Sequence, residues 1–183
     1  MKLLLHIGTH KTATSSLQSF LLAHRKIMQS HGIYYPIPPS AKKNFNTVAT
    51  DLSKGLVEKT SDIFKKTYKA AYNKRCHTVV VSAETFYAMT SDLNNILGQE
   101  TDSYFVNERK RIKALHKACK FFDKIEIVCY FRPQDDFASS LYNQAVKEFF
   151  GLSCSYIAFL NRCPELFDYN AHIELIEENF GQD

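Results

Sequence analysis

Within residues 6–18, "HIGTHKTATSSLQ", a lysine and five hydroxyl side chains follow closely on a single glycine. Gly8 ends an apolar run, Lys11 carries a full positive charge with three donors, and Thr9, Thr12, Thr14, Ser15 and Ser16 carry hydroxyls. Where such a stretch leaves a strand and enters a helix, unpaired backbone N–H groups and the helix dipole favour an anion. Capping the helix accounts for one Ser or Thr. Four hydroxyls plus a lysine, directly after a strand, make an anion site the fuller reading. The spacing is not G-x-x-x-x-G-K-[ST], because no second glycine precedes Lys11 and only Thr9 and His10 separate it from Gly8.

Two further clusters follow apolar runs. Glu84 stands two residues past "TVVVS". It can lie in the first turn of the next helix, stabilised by the macrodipole, or it can act as a general base toward an acceptor hydroxyl. Arg132 ends "IEIVCYF", and Ser140 lies eight residues on, within a helical pattern. A guanidinium and a hydroxyl so placed suit a phosphate. Asp135 and Asp136 compete, since either can pair with Arg132 or cap the helix.

These clusters need elements to hold them. Residues 2–7 are apolar without helical period, as is a strand buried on both faces, and "HTVVVSAE" and residues 125–131 read the same way. Leu17, Phe20, Leu21, His24, Ile27 and Met28 recur at helical steps, with Gly32 where a C-terminal cap falls. Ile63, Phe64, Tyr68, Ala71 and Tyr72 mark a second helix, and residues 105–122 a charged amphipathic one. Further helices are expected at about 135–150, 155–162 and 170–180, a short extended piece at "IYYP", and a surface loop at "PIPPSAKKNFN". This alternation predicts an α/β fold: three layers, α/β/α, with a central parallel sheet and a P-loop-like strand–loop–helix. Ligands in such sheets gather at the carboxyl ends of the strands, where all three clusters fall.

At 183 residues one domain is expected, spanning 1–183. A net charge of +4 suits an anionic small molecule; nucleic acid would call for a denser basic stripe than Arg109–Lys113. Five cysteines without C-x-x-C spacing argue for reduced, mostly buried thiols in a cytoplasmic protein, against disulfides or zinc. His6 interrupts the N-terminal apolar run and no small-residue cleavage site follows, so the run reads as a strand and not a signal peptide. No segment approaches a membrane span.

Taken together, the three clusters resemble the PAPS-dependent sulfotransferases. "IGTHKTATSSLQ" is similar to their 5′-phosphosulfate loop, close to G-x-x-K-T-G-T-T-x-L. "CYFRPQDDFASSLY" is similar to their 3′-phosphate motif, and "VVVSAETFY" to the S-x-E segment of the carbohydrate-type branch. The matched segments run in order across residues 3–142. The resemblance implies that PAPS (3′-phosphoadenosine 5′-phosphosulfate) is the donor and PAP the product, with no metal. Gly8, Thr9, His10, Lys11, Thr12, Ala13, Thr14 and Ser15 would cradle the phosphosulfate, and Arg132 with Ser140 the 3′-phosphate. Lys11 would stabilise the leaving group, and Glu84 would deprotonate a hydroxyl on a carbohydrate or glycolipid.

Two departures accompany it. Ala13 stands where the family has glycine. The family's downstream glycine-containing segment and a further strand find no counterpart before residue 183, so the domain is expected to lack its C-terminal part. His6, His10 and Ser82 could also line the pocket, but each reads first as strand-end packing or local hydrogen bonding. A P-loop kinase or other NTPase, and a nucleotide-binding module without catalysis, stay open as alternatives. Acceptor identity and oligomeric state are open as well, with "PIPPSAKKNFN" and residues 86–104 as the loops that would shape an acceptor pocket.

Overall fold

The computed structural model describes residues 1–9, 14–37, 45–87, 101–148 and 154–181. Strand β1 (Lys2–Gly8) leads to helix α1 (Thr14–Ser30), and a two-residue β2 (Ile33–Tyr34) follows. Next come α2 (Asn46–Ser53), α3 (Val57–Asn73) and β3 (Thr78–Ser82), then a 3-10 turn over Glu84–Phe86. Helix α4 (Thr101–Cys119), β4 (Lys124–Tyr130), α5 (Gln134–Glu148), α6 (Tyr156–Arg162) and α7 (Tyr169–Phe180) complete the described chain. The strands form one all-parallel sheet in the order β2-β3-β1-β4, flanked by helices in an α/β fold.

Strand period dictates the two faces of this sheet. Register aligns Val79, Leu3 and Ile125 in one row and Val81, Leu5 and Ile127 in the next. These rows join the main core with Phe64 and Ala71 of α3, Ile112 and Leu115 of α4, and Leu175 of α7. The intervening residues face the other way, where His6 and Ser82 sit side by side in register. A smaller core gathers Phe137, Leu141, Phe159 and Leu166 beneath α5 and α6. Between the two cores, buried His172 ties α7 to α4. Its Nε2–H donates to the Glu165 carbonyl at 3.0 Å, and its Nδ1 is hydrogen-bonded to Glu108 Oε1 at 2.9 Å.

Four details differ from the sequence reading. Strand β4 is half-buried because it is the outer strand of the described sheet; its Glu126 is held by Lys2 and Lys124. The stripe on α1 is only half covered: Leu17, Leu21 and Met28 are partly buried, while Phe20 and Ile27 are exposed. Helix α1 packs against β2, a strand too short to cover more. Helix α2 has no counterpart in the sequence reading; burial of Val48, Ala49 and Leu52 beside Phe45 stabilises it despite its eight residues. "IYYP" is extended only at Ile33–Tyr34. The "PIPPSAKKNFN" loop and residues 86–104 fall largely outside the described residues. All five cysteines are free, and Cys76, Cys119 and Cys163 are buried. No described helix is long and apolar enough to cross a membrane.

Candidate functional site

The carboxyl ends of β1, β3 and β4 meet at one edge of the sheet, and the register makes this explicit. His6 pairs with Ser82 and Gly8 with Tyr130, so the chain leaves all three strands at nearly one level. Gly8 sits too close to its neighbour for a side chain: a Cβ there would lie 2.4 Å from the Tyr130 carbonyl oxygen. Two strand ends are thereby drawn together at the point where the loop to α1 begins.

Thr9 continues that contact. Its N–H donates to Tyr130 O at 3.0 Å, and its Oγ1 accepts the Arg132 N–H at 3.2 Å. Tyr169, from the start of α7, donates its hydroxyl to Arg132 O at 2.8 Å. The Thr9 hydroxyl in turn donates to the Tyr169 oxygen, which lowers the phenol's pKa, but burial dominates and pushes it up to about 12. Three residues from three elements therefore close a ring of hydrogen bonds: Thr9 to Tyr169, Tyr169 to Arg132, and Arg132 to Thr9. The ring fixes the backbone from which the Arg132 guanidinium projects.

Beyond that ring, Arg132 Nε lies 3.8 Å from Asp136 Oδ2, with both side chains substantially exposed. This is longer than a hydrogen bond and is the weak, screened kind of ion pair. Asp136 and Ser140 are four residues apart in α5 and so share a helix face. Ser140, half-buried, thus lies one turn beyond the carboxylate that meets Arg132.

On the other side, Glu84 opens the 3-10 turn after β3, and Thr14 begins α1. Thr14 is buried, and its Oγ1 donates to Glu84 Oε2. With its hydroxyl committed to Glu84, Thr14 offers an anion its backbone N–H at the helix start. Ser15 and Ser16 are exposed in the same turn. Gln18 Nε2 reaches Ser82 O at 3.5 Å, a second tie between α1 and the end of β3.

Beneath these groups His6 Nδ1 and Ser82 Oγ are 2.8 Å apart, both buried. Local hydrogen bonding therefore describes both residues. Burial lowers the His6 pKa, and the nearby Glu84 carboxylate pulls the other way. His6 Nε2 is buried without a hydrogen-bond partner among the described residues, its ring tilted against that of Tyr130 at 5.0 Å.

The structure thus brings Gly8, Thr9, Thr14, Glu84 and Arg132 to the strand ends. Ser15 lies in the first turn of α1 and Ser140 in α5. His10, Lys11, Thr12 and Ala13 lie outside the described residues. Tyr169 is the participant the sequence reading missed. It stands 37 residues after Arg132, at the first residue of a helix expected from about 170, and no motif marks it. No protein-family model, curated protein or solved structure matches this chain.

Proposed function

We propose that the protein transfers a sulfuryl group from PAPS to an acceptor hydroxyl, most suitably on a carbohydrate or glycolipid. The observation that supports this best is the meeting of Glu84 with the first turn of α1, through the Thr14 hydroxyl, at the strand end where an anion would sit. It stands beside a separately anchored Arg132. A carboxylate facing an anion cradle, with a second cationic position apart from it, suits a donor with two anionic groups.

The residues fit such a donor. Gly8, lacking a side chain, lets β1 and β4 close together where the loop begins. The N-terminal amides of α1 would meet the 5′-phosphosulfate together with Lys11, whose role rests on the resemblance. Arg132, with Ser140 one turn beyond Asp136, would hold the 3′-phosphate and separate PAPS from ATP. When bound, PAPS supplies an activated sulfuryl group that passes to oxygen as PAP leaves. Glu84 would accept the acceptor hydroxyl's proton, its carboxylate oriented by Thr14. This is catalysis by positioning and preorganised charge.

The test compares thermal stabilisation of wild type and Arg132→Ala by PAP, by adenosine 5′-phosphosulfate and by Mg·ATP. The largest shift is expected with PAP, and it should be lost in the variant. Stabilisation by Mg·ATP alone would overturn the proposal in favour of a nucleoside-triphosphate enzyme. Where PAP binds, radiolabelled sulfate transfer by wild type and Glu84→Gln separates enzyme from binder. The variant should lose about 10²- to 10⁴-fold in rate while keeping PAP affinity. Full activity in Glu84→Gln would remove it as the base.

A further inference from the structure

A second cationic site stands at the opposite edge of the sheet. Arg25 and Lys26 of α1 and Lys74, the residue after α3, line a pocket of about 340 Å³ with Gln29, Tyr34 and Ile37. Tyr35, buried, closes it, and among the described residues no carboxylate contributes to the lining. None of the three cations has an acidic partner among the described residues. Lys74 Nζ donates to Gln29 Oε1 at 3.3 Å and lies 5.7 Å from the centre of the Tyr34 ring, which draws it over the pocket.

Helix α1 itself does not use these charges. A helix C-terminus attracts cations through its unpaired carbonyls. Here Ile27 O accepts from His31 N and Ser30 Oγ, Met28 O from His31 N, and Gln29 O from Gly32 N. The last turn is therefore satisfied locally. Three positive charges converge on a concavity with no carboxylate among the described residues to balance them.

The pocket's other surfaces are not charged. Ile37 is half exposed at its rim, and Tyr34 presents a phenol whose pKa burial raises, so its O–H stays a donor. The volume admits one ring-sized group. We propose that this pocket binds a sulfate or phosphate monoester carried on a sugar-sized ring. The oxyanion sits among Arg25, Lys26 and Lys74, and the ring rests on Tyr34 and Ile37.

The site is distinct from the proposed donor site. Arg25 lies eleven residues beyond Thr14, about 16 Å along the helix axis. β2 and β4 are the two ends of the strand order, so Arg132 is about three inter-strand spacings, or ~14 Å, away. The inference therefore does not depend on PAPS being the donor.

Isothermal titration at low salt tests it, with N-acetylglucosamine 6-sulfate, N-acetylglucosamine 6-phosphate and inorganic phosphate as probes. Wild type should bind both sugar esters, and more tightly than inorganic phosphate, which reaches neither Tyr34 nor Ile37. An Arg25→Gln/Lys74→Gln double variant should bind the esters about ten-fold more weakly while keeping its stabilisation by PAP. Arg132→Ala should bind the esters as wild type does. So should Lys117→Gln/Lys120→Gln, which removes the same charge from another exposed patch. No ester binding by wild type, or equal loss in the Lys117/Lys120 variant, would overturn the site. Loss in Arg132→Ala would move the probe to the strand ends. Equal affinity for inorganic phosphate would overturn the ring-bearing ligand.

Discussion

The Arg132 backbone N–H donates to Thr9 Oγ1 at 3.2 Å, joining the strand end of β4 to the first residue after β1. Tyr169 bridges the same pair, so the position of Arg132 is set by two residues far from it in sequence. Thr9→Val leaves the Arg132 N–H and the Tyr169 hydroxyl each short of a partner. Thr9 is fully buried, so this should destabilise the protein by about 1–3 kcal/mol in urea unfolding. Tyr169→Phe keeps the ring packed on Phe131 and should cost about 1 kcal/mol. Because both break one ring, the double variant should cost less than the sum. Additive losses would mean that the three bonds act independently. PAP affinity should fall in each single variant.

Gly8→Ala should be more damaging than a typical glycine substitution. The added Cβ would meet the Tyr130 carbonyl oxygen at 2.4 Å, and that oxygen is backbone of the paired strand and cannot swing aside. Relief requires β1 and β4 to part where they deliver Thr9 and Arg132. A loss of about 1–3 kcal/mol in urea unfolding is expected, with weaker stabilisation by PAP. A variant as stable as wild type would show that the strand ends separate freely.

The sheet was readable because its strands are short apolar runs at spaced intervals, and runs such as "TVVVS" leave little other choice. Placement at the carboxyl ends follows from parallel topology alone, which is why Glu84 and Arg132 stand out in the sequence. What the sequence could not convey was long-range partnership. The bonds Thr14–Glu84, His6–Ser82 and Tyr169–Arg132 span 70, 76 and 37 residues. Any hydroxyl in the loop could have been the one that turns to the carboxylate. Helix α2 was hidden for a related reason: "NTVATDLS" has weak helical propensity, and its burial beside Phe45 decides the matter. No motif marks the cations of the second pocket, and only the fold sets Lys74 beside Arg25 and Gln29.

Asp136 should act against anion binding at Arg132. Its carboxylate lies 3.8 Å from the guanidinium, with more than half of its side chain exposed. Such a pair contributes little to stability, but a phosphate arriving at Arg132 meets its negative charge. Asp136→Asn should therefore bind PAP about two- to five-fold more tightly at low salt. The gain should shrink as salt rises, and stability should change by less than about 0.5 kcal/mol. Weaker binding in the variant would place the phosphate elsewhere.

His6 should give the fold a measurable acid sensitivity. Burial lowers its pKa from the ordinary 6.5, so near neutrality the folded protein holds it uncharged against Ser82. As pH falls below about 6.5 the unfolded chain takes up a proton that the folded chain refuses until its own, lower pKa is reached. Stability therefore falls with pH through that window, at most by about 1.4 kcal/mol per unit for this one group. Urea unfolding of wild type and His6→Gln between pH 5 and 8 should show a shallower slope in the variant below 6.5. Glu84 modulates the effect, since its negative charge raises the His6 pKa. In Glu84→Gln that support is gone, the folded pKa drops further, and the acid-sensitive window should extend to lower pH. An identical slope in wild type and His6→Gln would assign the acid sensitivity to other groups.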